Sequence, residues 1–225
     1  MPDFKGILIA GGESLLLSAI VQRVARLDVP YVLAIIPQDS SAEKMRRERG
    51  AGSDAIIEWN AGSPLSARTL IVSCVNRLQN FDAALLVCTP PQRFQAAGLA
   101  APEIDDAIDK HIKSYMFLTR EIQSFFKKRN SGIIAFASGG GGAFNGLLSK
   151  TITAAFAAFA SGVVMESSGG DAGGVKAMGF SCAEALNGAE QAGDFAGFIS
   201  KALVESKKND FGKWRKFGKL SFWGK

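Results

Sequence analysis

The stretch Gly132 to Ser161, GIIAFASGGGGAFNGLLSKTITAAFAAFAS, constrains the fold more than any other part of this chain. Ile133, Ile134, Ala135, Phe136 and Ala137 form an apolar run bounded by turn residues, the pattern of a strand buried on both faces of a parallel sheet. A four-glycine break follows. Leu147, Leu148, Ile152, Ala155, Phe156 and Phe159 then recur at three- and four-residue spacing, which predicts a long Ala-rich helix running back along that sheet. Ser138 falls at the C-terminal end of the strand, where open α/β sheets form their ligand crevice, and Lys150 falls near the start of the helix.

The same alternation runs through the whole chain. Phe4 to Ala10 reads as a first buried strand and Leu15 to Leu27 as the helix after it, joined by Gly11, Gly12, Glu13 and Ser14. Tyr31 to Ile36 predicts a second strand, followed by a charged helix from Ala42 to Arg49, with Asp39, Ser40 and Ser41 as its N-capping residues. Ala55 to Trp59 reads as a third strand, Leu65 to Leu78 as a helix and Ala83 to Cys88 as a fourth strand, ending at Thr89 and two prolines. Pro102 to Arg129 carries a long amphipathic helix, Val175 to Phe180 a sixth strand and Phe195 to Val204 a last helix. This order predicts a single α/β domain over residues 1–225, a doubly wound parallel sheet of Rossmann-like type in a three-layer αβα sandwich.

The central segment resembles the short-chain dehydrogenase/reductase family, in which a strand ending in a catalytic Ser is followed by a helix carrying Tyr-x-x-x-Lys. Ser138 and Lys150 match, while the Tyr position is Gly146. The phenol in that family moves the proton and its Lys tunes the phenol, so the resemblance implies the fold together with a lost acid/base. The family's first turn, Thr-Gly-x-x-x-Gly-x-Gly, cradles the cofactor pyrophosphate. Gly11 matches the first glycine, Ala10 replaces the Thr, and Leu15 and Leu17 stand at the later glycines. Gly11, Gly12 and Ser14 can therefore form a plain βα turn or a working cofactor loop for NAD or NADP.

Other positions carry the resemblance further. Thr89 stands where the family packs Asn-Asn-Ala-Gly beside the cofactor, and with Lys150 it joins the candidate cofactor contacts. Asp39 is a displaced candidate for the ribose, and Lys44, Arg46, Arg47 and Arg49 read as a solvated helix face or as contacts to a 2′-phosphate. His111 occupies the place of the Asn that holds the family's catalytic Lys, with Tyr115 one turn along on the same face. It is either a structural histidine or a substitute proton carrier, in which case activity would follow a titration near ~6.5. The family's long substrate-covering segment after strand six is reduced here to Cys182 to Asp194. The resemblance implies a degenerate nucleotide-binding or assembly protein, or an atypical NAD(P)-dependent oxidoreductase using Ser138, Lys150 and His111. It also implies a homodimer or homotetramer through the helices at 102–129 and 151–161, acting on a small molecule that the residues do not name.

Charge is distributed unevenly. The net charge is +5, yet residues 206–225 hold seven bases against one acid, Asp210, which leaves the other 205 residues at −1. This tail interleaves Phe211, Trp214, Phe217, Phe222 and Trp223 with bases, a pattern able to bind single-stranded nucleic acid or an anionic membrane surface. In the resembling family the chain ends in a sheet strand, which places one at Lys219 to Trp223 and makes nucleic-acid binding weak and charge-driven. Cys74, Cys88 and Cys182 have no C-x-x-C spacing and only one His accompanies them, so no metal site is expected and all three read as buried thiols. No apolar run approaches the ~18 residues of a membrane span, and Gly11, Gly12 and Glu13 interrupt the N-terminal one, so a cytoplasmic protein is expected.

Overall fold

Each buried apolar run becomes a strand whose alternate side chains enter different cores. The computed structural model describes residues 5–36, 56–89, 100–139, 146–168, 174–182, 186, 188–206 and 210–218. In chain order the elements are β1 (Ile7–Gly12), α1 (Leu15–Ala25), β2 (Tyr31–Ile36), β3 (Ile56–Glu58), α2 (Pro64–Leu78), β4 (Ala83–Cys88) and α3 (Ala101–Ile108). A π-helical turn (Asp109–Lys113) leads into α4 (Ser114–Arg129), followed by β5 (Gly132–Ser138), α5 (Leu147–Glu166), β6 (Val175–Cys182), α6 (Ala189–Val204) and β7 (Trp214–Phe217). All strands are parallel, in the order β3-β2-β1-β4-β5-β6-β7, so the chain winds outward in both directions from β1 and β4. This is the doubly wound three-layer sandwich expected from the element order.

On one side of the sheet Leu8, Ala10, Ile134 and Phe136 meet α2, α4 and α5; on the other Ile7, Ile9, Ala135 and Ala137 meet α1 and α6. In α5 the side chains of Leu148, Ile152, Phe156, Ala160 and Val163 form the inward stripe, each large one worth about 1.5–3 kcal/mol on burial. Phe156 sits edge-on to Tyr115 at 5.0 Å and to Phe136 at 6.1 Å, so α4, α5 and β5 are joined through aromatic rings. Length and composition alone would let α5 cross a membrane, contrary to the expectation that no segment comes near that length. Its sheet-facing stripe and its Lys150 and Glu166 are features of a core helix.

Three boundaries differ from expectation. The last helix begins at Ala189 rather than Phe195, because Ala192, Phe195, Ala196 and Ile199 bury one stripe that carries it across Gly193. The helix expected from Pro102 to Arg129 is divided by the π turn. The terminal strand is at Trp214–Phe217, earlier than Lys219–Trp223, which with Phe222 and Trp223 lies outside the described residues. The reason is local: Gly179 on β6 has no side chain, and the Trp214 ring lies where one would be, 1.9 Å from the position of an added Cβ. The Trp214 indole N–H donates to Ser181 Oγ at 2.9 Å, and Phe217 stacks on Phe195 at 5.4 Å. Trp214 is thereby packed on the sheet edge, half-buried. The helix expected at 42–49, its basic cluster, Asp39 and the prolines after Thr89 also lie outside the described residues.

Candidate functional site

The C-terminal ends of β1, β4 and β5 converge, and most of the expected site residues converge with them. Gly11 is required by the sheet, since a Cβ there would stand 2.6 Å from the Val87 carbonyl oxygen on β4. Gly12 faces open space, the nearest atom to an added Cβ being His111 Cε1 at 4.0 Å. Ser14 caps α1 by accepting from the Leu17 N–H at 3.1 Å, and the Thr89 hydroxyl donates to the same Ser14 oxygen at 3.1 Å. Leu17 is fully buried beneath the turn, and Leu15 points to solvent with 57% of its surface exposed. The leucines at the glycine positions are thus accommodated away from the open side of Gly12. Ser138 is buried at the end of β5, in register with Cys88.

Lys150 is not drawn into this group. It is exposed in the first turn of α5, and its ammonium forms no hydrogen bond or ion pair with any described residue. Gly146 is the N-cap of that helix, with φ −76° and ψ 141°, and supplies no side-chain cap.

The π turn rotates His111 inward, to 5% exposure, with Nδ1 unpartnered among the described residues. Burial, and then the neighbouring Lys110 ammonium, lower its pKa from 6.5 to about 4, with Asp106 opposing. The titration expected near ~6.5 is therefore displaced to more acidic pH. Tyr115 is fully buried and its phenol donates to the Val87 carbonyl at 2.6 Å. Burial holds that phenol protonated, the nearby Cys88 acts in the same direction, and a hydrogen bond from the Gly12 backbone acts against both. The tyrosine nearest the crevice is a tie between β4 and β1, with its proton already committed.

His111 also gives the fold an acid sensitivity. The neutral imidazole is preferred on folding, so its contribution is complete above the unfolded value of ~6.5 and is lost as pH falls towards about 4. Over that window stability should drop by on the order of 3 kcal/mol, and His111→Gln should flatten the fall. Denaturant midpoints from pH 7 to 4 measure this; equal slopes in both proteins would show that His111 does not titrate as its burial requires.

Beside this group, a cleft of about 460 Å³ opens past the ends of β2 and β3, between Ile36, Glu58 and Trp59 on one side and Asp106, Asp109 and Lys110 on the other. Trp59 is 2% exposed and its indole N–H has no partner among the described residues. Its ring meets Tyr115 edge-on at 6.4 Å. Sequence reading took Trp59 only as a strand end. The available signal was an indole, whose N–H needs an acceptor when buried, at the C-terminal end of a parallel strand. Lys110 is held by Asp106 at 2.8 Å and Lys113 by Asp109 at 2.6 Å, and the lining residues themselves are three acids, Glu58, Asp106 and Asp109, and one base, Lys110. Among the described residues no cluster could hold a metal ion, and the three cysteines are buried and form no disulfide.

Solved structures with this arrangement are numerous. An oxidoreductase of the short-chain dehydrogenase/reductase family from Brucella ovis, in complex with a partially ordered NAD, aligns with TM-score 0.73 at 15% identity, over 95% of this chain and 99% of its own. The chain has the short-chain dehydrogenase/reductase fold. A short-chain dehydrogenase from Bacillus anthracis aligns with TM-score 0.73 at 12% identity over 95% of both chains. ElxO with NADP bound aligns with TM-score 0.68 at 14% identity over 95% of this chain and 96% of its own. No family model matches the chain, and no curated protein sequence matches it. Within this fold the cleft at β2 and β3 and the open side of Gly12 lie along the crevice at the sheet's C-terminal edge.

Proposed function

We propose that this chain is a nucleotide-binding protein that keeps the dinucleotide cleft of the fold and has lost hydride-transfer turnover. The observation that carries this reading is the cleft itself: a ligand-sized space lined by Trp59, whose buried indole N–H has no acceptor among the described residues, while the proton-donor position is the bare N-cap Gly146. A dinucleotide fits the first half of the site. Trp59, Glu58 and the Asp106–Lys110 turn would hold the adenosine, and Gly12, Ser14 and Thr89 would lie beside the phosphates. Bound there, such a cofactor could supply a hydride, but among the described residues no set for passing the matching proton is assembled.

The cleft's charge supports a choice between cofactors. The lining itself carries three carboxylates, Glu58, Asp106 and Asp109, and one ammonium, Lys110; Lys110 pairs with Asp106 at 2.8 Å, and Lys113, outside the lining, pairs with Asp109 at 2.6 Å. An extra phosphate on the ribose meets carboxylates, whereas free hydroxyls can donate to them. NADH should therefore bind at least tenfold more tightly than NADPH, and Trp59→Phe, which removes the indole donor, should weaken NADH binding severalfold. Fluorescence titration checks both; tighter binding of NADPH would refute the charge argument.

We further propose an assembly role through a homodimer built on α4 and α5. Met116, Leu147 and Met165 are exposed on these helices, and Met165 has 73% of its surface open. Light scattering at micromolar concentration should give twice the chain mass, and a monomer would remove this part of the proposal.

A further inference from the structure

On the opposite side of the sheet from the cleft, α1 and α6 run side by side and enclose a second cavity, of about 260 Å³. Its α1 wall presents Leu15, Ser18, Gln22 and Arg26, which recur at three- and four-residue steps and so share one helix face, with Arg23 on the flank of that face. Its α6 wall presents Ala189 and Gly193, where an added Cβ at Gly193 would meet nothing within 4 Å. One turn further along α6, Gly197 leaves room for the Arg23 guanidinium, 3.6 Å from where a Cβ would stand. Among the described residues no carboxylate lines the cavity. Glu190 and Asp194, the acids on this part of α6, are exposed, and among the described residues neither pairs with either guanidinium.

We infer that this cavity is a binding site for a small phosphate-bearing ligand. Two guanidinium groups without acidic partners among the described residues provide planar donor forks suited to phosphate oxygens, and Ser18 and Gln22 add neutral donors beside them. The cavity suits one phosphate group with a few further atoms, below the usual 300–1,000 Å³ of drug-sized pockets. Exposed Leu15 at one end offers an apolar contact for what the phosphate carries. The site lies outside the dinucleotide cleft, shares none of its residues and does not depend on it.

The full-length chain, titrated with inorganic phosphate and with pyrophosphate, tests this by thermal shift and calorimetry against KCl at matched ionic strength. Both anions should raise the melting temperature beyond KCl, pyrophosphate more than phosphate. The double variant Arg23→Ala/Arg26→Ala should weaken pyrophosphate binding at least tenfold. Gly193→Leu should do the same by filling the space while keeping both arginines, and as a helix-favouring change it should leave the fold intact. NADH binding at the cleft should be unchanged in both variants. An equal response to KCl, no response up to about 10 mM of either anion, or binding retained in both variants would overturn the inference.

Discussion

Tyr115→Ala should destabilise the protein by about 3–5 kcal/mol, whereas Tyr115→Phe should cost about 1–3 kcal/mol and leave nucleotide binding intact. The larger loss follows from packing. The ring is fully buried between Trp59 and Phe156, and deleting it opens a cavity where β1, β4, α4 and α5 meet. The smaller loss isolates the phenol, whose removal leaves the buried Val87 carbonyl without the 2.6 Å hydrogen bond it now accepts. For a chain of this size each kcal/mol moves the melting temperature by roughly 2–4 °C, so calorimetry separates the two variants. If Tyr115→Phe instead proved neutral for stability but changed a measurable reaction, the phenol would be chemical rather than structural.

The second large effect is on rate. Against a broad panel of ketones, aldehydes and alcohols with both nucleotides, turnover should stay below roughly 1 s⁻¹. General acid catalysis is typically worth ~10²–10⁴ in rate, and three candidate donors fail for separate reasons. Gly146 has no side chain, Tyr115 donates to a backbone carbonyl, and His111 is held neutral by burial down to about pH 4. Lys150, exposed and unpaired among the described residues, has no phenol to tune. Residues 183–188 are all that separate β6 from α6, so the substrate-covering segment that the family resemblance implies is shorter here than Cys182 to Asp194. His111→Ala and Lys150→Ala should accordingly leave the low background rate unchanged. A collapse in either would identify a working residue.

The fold was legible because its signals are redundant. The runs at Tyr31–Ile36, Ala83–Cys88 and Ile133–Ala137 are unbroken and apolar, and a parallel sheet covered on both faces demands such runs. β7 was misplaced because its strongest determinant is the absence of a side chain on another strand, at Gly179, which no local pattern at Trp214 records. The site was only partly legible. Gly12, Ser14 and Thr89 come together as βα-turn chemistry implies, since strand ends and helix caps are local features. Trp59 was missed, and the inward turn of His111 was unseen, because both depend on the π turn at Asp109–Lys113 and on packing between elements distant in sequence.

A single NADH titration with a parallel rate assay tests most directly whether the nucleotide cleft is kept while turnover is lost. Protein fluorescence, with a buried Trp59 in the cleft as reporter, should saturate at micromolar to low-millimolar NADH, and Trp59→Phe should weaken that binding. The same sample should oxidise NADH on no panel substrate faster than roughly 1 s⁻¹. Absence of binding up to millimolar NADH would contradict the nucleotide half of the account, and turnover above that rate on any substrate would contradict the other.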